Sequence, residues 1–64
     1  MNNYQERVHR EKEELDKKIE KLNLFFQGNI WLEMNVIDQG LLQEQLGAMS
    51  KYSFILEKRI ERFK

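Results

Sequence analysis

Tyr4, Arg7, Glu11 and Lys18 stand at i, i+3, i+7 and i+14, so a helix would bring all four to its inward side, beside Val8, Leu15 and Leu22. Together they have the chemistry to hold a small anionic ligand. A guanidinium grips a phosphate through its planar fork, and an ammonium holds one as a point charge. A phenol ring stacks on a base, and a carboxylate accepts from an exocyclic amine. The same residues have a plainer use: Arg7 and Glu11 as an i,i+4 ion pair, with Lys18 laying its stem along apolar surface. Tyr52 and Arg59, seven apart in the second half, repeat the phenol and cation toward the same end. Their plainer roles are a core or interface ring and a partner for an acid of the first helix.

Other chemistry is thin. The chain carries no Gly-rich phosphate loop, GxSxG elbow, HExxH pair or nucleophile beside a base. His9 is the sole histidine and there is no cysteine, so neither a metal cluster nor a disulfide framework is expected. Glutamates are many, but lysines interleave with them, which makes a solvated salt-bridge face. We therefore expect no enzyme, no metal and no cofactor. Eleven basic residues balance eleven acidic ones, which argues against coating long nucleic acid. The most apolar stretch, Leu22 to Ile37, contains Gln27, Asn29, Glu33 and Asn35, too short and too polar to cross a bilayer. A polar, charged N-terminus has no signal-peptide pattern, so a cytoplasmic protein is expected.

Two long helices must position these residues. In the first, about 3–27, Tyr4, Val8, Leu15, Ile19, Leu22 and Phe26 keep helical spacing. Gly28 fits its C-terminal stop. A connector, 28–35, leaves room for one helical turn at Ile30 to Met34, with Trp31 and Met34 folded over the hairpin end. Asn35 reads as an N-cap, and Asp38 suits the positive end of the next helix. That helix, about 36–63, repeats Leu42, Met49, Leu56 and Phe63 every seven residues, with Leu46, Ser53 and Ile60 between them. Leu41, Ala48, Tyr52 and Ile55 form a second stripe beside the first. Gly40 and Gly47 leave space for close helix approach.

The expected fold is all-α: an antiparallel helical hairpin in one domain, 1–64. Below about 70 residues a domain usually needs a disulfide, a metal or an oligomer. A hairpin uses one seam per helix, so a second stripe calls for a second subunit. A homo-oligomeric helical bundle is therefore expected. Charge is polarised along it. Residues 29–50 hold three acids and no base, whereas 51–64 hold five bases and two acids. Antiparallel folding sets that basic end beside Tyr4, Arg7, His9, Arg10 and Lys12.

One ordered set runs through both helices. Tyr4, Arg7, Val8, Glu14, Leu15, Lys18, Lys21 and Leu22 are followed by Leu41, Leu42, Gln45, Leu46, Met49, Tyr52, Ile55, Leu56, Arg59 and Ile60. It resembles a family of short phage helical-hairpin proteins, that of the anti-CBASS type 2 protein and the hairpin part of the Thoeris anti-defence type 1 protein. The resemblance covers nearly the whole chain. It implies a sponge that sequesters bacterial immune signals, cyclic di- and trinucleotides or cyclic ADP-ribose isomers, without cleaving them, in the infected host's cytoplasm. It further implies hexamers with pockets between subunits, Tyr4 and Lys18 as stacking and phosphate residues, and Arg7 and Arg59 in support. The competing reading is a coiled-coil-like adaptor that binds a partner protein through the spare seam.

Overall fold

A computed structural model of the chain describes residues 3–63. Three helices follow one another: α1 (Asn3–Phe25), a short α2 (Asn29–Glu33) and α3 (Val36–Glu61). α1 folds back along α3, giving a rod of 47 × 15 × 13 Å. Its long dimension is close to the length of α3 alone, about 39 Å at 1.5 Å per residue, so the hairpin is one helix pair with a capped end.

The seam between the long helices repeats every seven residues. Along α1 and the turn that follows it, the seam positions are Gln5, Val8, Lys12, Leu15, Ile19, Leu22 and Phe26, all at least partly covered. Along α3 and just past its end they are Gln39, Leu42, Leu46, Met49, Ser53, Leu56, Ile60 and Phe63. Alternating steps of three and four on both helices match the seam of a coiled coil. Val8, Leu15 and Leu56 are its most buried apolar members, with Ile19, Met49, Ile60 and Phe63 packed around them.

Apolar spacing in the sequence steps seven residues from Val8 to Leu15; the structure fills that gap with Lys12. Across from it lies Ser53, a polar position in the middle of the α3 seam. Lys12 Nζ donates to the Ser53 hydroxyl at 3.2 Å and to the Asp16 carboxylate at 2.7 Å. The Ser53 hydroxyl donates in turn to the other oxygen of Asp16. A cation and a hydroxyl that face an apolar seam need partners, and each finds one here.

Gly28 departs from expectation. α1 stops at Phe25, two residues before its expected end, as its last carbonyls are taken by Gln27 N at 3.0 Å and Gly28 N at 3.1 Å. Gly28 is extended, with φ −98° and ψ 170°, and precedes α2 instead of adopting the left-handed form of a helix stop. The helical turn expected at Ile30 to Met34 is α2. Its Trp31 ring lies 4.5 Å from that of Phe26, and the Trp31 carbonyl accepts from Gln39 Nε2 at 2.6 Å. α2 is thereby tied to both long helices. Asn35 caps α3: its Oδ1 accepts from Ile37 N at 2.7 Å. Lys58 and Arg59 occupy the last turn of α3, where the helix dipole favours cations.

Candidate functional site at the basic end

Tyr4 opens α1 and Arg59 closes α3, so antiparallel folding puts them side by side. Arg59 Nη2 donates to the Tyr4 hydroxyl at 3.3 Å, while its guanidinium carbon lies 5.9 Å from the centre of the Tyr4 ring. The same ring also meets Phe63, centroid to centroid at 5.7 Å. His9 then sets its ring edge-on to Phe63 at 5.9 Å. The result is an aromatic and cationic cluster whose centre, Tyr4, is 49% exposed.

Arg59 is fully cationic in this setting. The hydrogen bond to the Tyr4 hydroxyl holds its pKa above the ordinary arginine range, and Glu11 adds a smaller electrostatic push the same way. A guanidinium has five N–H donors, and the Tyr4 hydroxyl occupies one. Donors therefore remain for an anion without loss of the ring contact.

Tyr4, Glu11 and Lys18 recur every seven residues along one flank of the α1 seam; Tyr52 and Arg59 do so along the flank of α3. In an antiparallel pair these flanks adjoin, which makes the five residues one edge of the hairpin. They are not inside the seam: all five are exposed, as is Arg7. Arg7 turns farther outward and shares a shallow, polar hollow with Asn3, Glu6 and Arg10. Tyr52 lies at the surface, so within one chain it has no core role. Among the described residues, Arg7, Lys18 and Tyr52 make no side-chain hydrogen bond or ion pair inside the chain, and the plainer Arg7–Glu11 pair does not form.

Residues 2–62 match the sequence profile of the Sequestin family. The chain belongs to that family. The Sequestin chain is also 39% identical, over 61 residues and 95% of each protein, to an uncharacterised 7.5 kDa protein of the denB-rIIB intergenic region of Enterobacteria phage T4. No solved structure matches it.

Within the Sequestin chain, sequence spacing pointed to Tyr4 and Arg59 separately but not to their contact. It also missed His9 and Phe63 as ring neighbours of that site. His9 reads as a solvated residue, and it is exposed; only the antiparallel register sets it against Phe63. Among the described residues no group of three His, Cys, Asp or Glu side chains could hold a metal ion. No helix among them is long and apolar enough to cross a membrane.

Proposed function

We propose that this Sequestin member is a phage anti-defence sponge. It binds cyclic oligonucleotides, cyclic di- or trinucleotides or cyclic ADP-ribose isomers, and sequesters them intact in the cytoplasm of the infected bacterial host. The observation that carries this reading is the Tyr4–Arg59 pair: a half-exposed ring beside a cation with donors to spare, on a protein whose family is named for sequestration. Tyr4 stacks a base. Lys18 and Arg59 hold phosphates, Arg7 supports them, and Glu11 accepts from an exocyclic amine. Tyr52 lies on the same edge and completes an inter-subunit pocket. Nothing in this scheme needs a nucleophile or a metal, so the protein acts by binding and not by turnover. It works as a homo-oligomer, six copies by resemblance, with pockets where subunits meet.

Compact, multiply charged ligands suit this arrangement because a few charge-assisted bonds and one or two stacks supply specificity without a strongly basic surface. A thermal-shift panel of cyclic di- and trinucleotides and cyclic ADP-ribose isomers tests it. At least one member should raise the melting temperature, and heating the complex should return that ligand chemically unchanged. Tyr4→Ala and Lys18→Ala should each weaken binding by roughly 1–3 kcal/mol, the loss of a stack or a charge-assisted bond. Unchanged affinity in both variants would remove these residues from the site. No shift across the whole panel favours the second reading, a coiled-coil-like adaptor, which the exposed apolar stripe of α3 supports on its own.

A further inference from the structure

α3 carries two seams, and α1 covers one. Leu41, Gln45, Ala48, Tyr52, Ile55 and Arg59 precede, one for one, the inner positions Leu42, Leu46, Met49, Ser53, Leu56 and Ile60. One residue is about 100° of helix rotation, so this outer row looks sideways from α1. It keeps the same alternation of four and three as the inner row, yet every member is exposed, with Leu41 at 59% and Ile55 at 45%. Two glycines border it. A Cβ added at Gly40 or Gly47 would meet nothing within 4 Å, so no contact inside the chain calls for either. Each weakens a helix interior by about 1 kcal/mol relative to alanine.

Charge on the same helix selects the covering partner. The first half of α3, up to Ser50, carries Asp38 and Glu44 and no base. From Lys51 onward it carries Lys51, Lys58, Arg59 and Arg62 against Glu57 and Glu61. A second α3 running parallel would set acid on acid and base on base. Running antiparallel, with a twofold axis through Ala48, it carries Leu41 onto Ile55, Asp38 onto Lys58, and Glu44 onto Tyr52 beside Lys51. The smallest side chain of the row sits on the axis, where two helices come nearest, with Gly47 next to it.

We infer that two copies of this chain pair through the outer seam of α3, antiparallel and centred on Ala48. The proposal rests on the homo-oligomer reading above and names the surface that makes it. The contact is isologous: each copy gives the same row and receives it. It also sets the acidic, apolar tip of one hairpin alongside the basic end of the other, near Tyr4 and Arg59, so a ligand pocket on that edge draws a wall from the second copy.

The absence of native cysteine makes this directly testable. Mild oxidation of Ala48→Cys should convert most chains to a covalent dimer, because the axis brings the two thiols together. Leu41→Cys alone should stay uncrosslinked: its two copies would lie about 21 Å apart along the helices, beyond disulfide reach. Refolding Leu41→Cys with Ile55→Cys should yield the mixed dimer. Self-crosslinking of Leu41→Cys would establish parallel pairing and overturn the proposal. So would sedimentation of an oligomer in which Ala48→Cys resists oxidation, or of a monomer. The ligand panel, run on the unmodified protein, reports separately. Crosslinking without ligand binding keeps this interface and removes the sponge; ligand binding without crosslinking does the reverse.

Discussion

The two seams of α3 share a helix, a periodicity and nearly a length, yet they differ in what they tolerate. Along the inner seam, Leu42, Leu46, Met49, Leu56, Ile60 and Phe63 are apolar, and the polar Ser53 is matched by Lys12 and Asp16. Along the outer seam, Gln45, Tyr52 and Arg59 alternate with Leu41, Ala48 and Ile55. A face that must bury against its own chain cannot leave polar groups unmatched. A face that meets a second copy or a ligand gains from them, since they set specificity and keep the free chain in solution. On the pairing proposed above, the difference assigns folding to one side of α3 and recognition to the other.

Neighbouring substitutions break this comparison most sharply. Leu56 is fully buried, and Leu56→Ala should cost roughly 2–5 kcal/mol, most of what so small a domain has. That loss should be independent of protein concentration. Ile55→Ala, one residue away on the outer seam, should cost within about 0.5 kcal/mol in dilute solution and more as concentration rises, because it weakens association. Circular dichroism melts at two concentrations distinguish them. Equal concentration dependence in both variants would dissolve the division of labour.

Asn35 sits at the start of both seams, so its loss should not favour either. Removing its side-chain bond to the Ile37 amide by Asn35→Ala should cost about 1 kcal/mol, the usual value of an N-cap. Urea unfolding should show that cost unchanged from low to high concentration. A loss confined to concentrated protein would mean that the connector, and not only α3, belongs to the association surface.

How much of this is legible in the sequence depends on the range of the interaction. Helix spacing is local, and it places α1, α3 and the turn at α2 to within a few residues. The second stripe is visible for the same reason. Lys12 is not, because apolar pattern reading passes over a lysine; it joins the seam through Ser53, forty-one residues away. The role of Gly28 is also misread, since glycine after a helix favours a left-handed stop, whereas the short turns of Gln27 and Gly28 close α1 without one. At the candidate site, each residue is visible by type, but the Tyr4–Arg59 contact spans fifty-five positions and follows from register alone.

The smallest effect sharpens the comparison from the edge of the inner seam. Hydrogen bonds, first from Lys12 and then from the Ser53 hydroxyl, hold the Asp16 carboxyl below the ordinary carboxylate range. Its folded pKa is thus lower than its unfolded value of about 3.9, so charged Asp16 stabilises the fold above that pH. The contribution is lost as pH falls through the folded pKa. Asp16 remains 47% exposed, so water screens the pair, and the gain should stay under about 1 kcal/mol. Asp16→Asn keeps the shape and removes the charge. Urea unfolding should therefore find the variant less stable than the parent near pH 7, with the gap closing at acid pH once Asp16 itself is protonated. A gap of the same size at both pH values would show that Asp16 acts through packing and not through its charge. The polar layer opposite Ser53 would then be an ordinary part of the inner seam, and the contrast between the two faces of α3 would be one of burial alone.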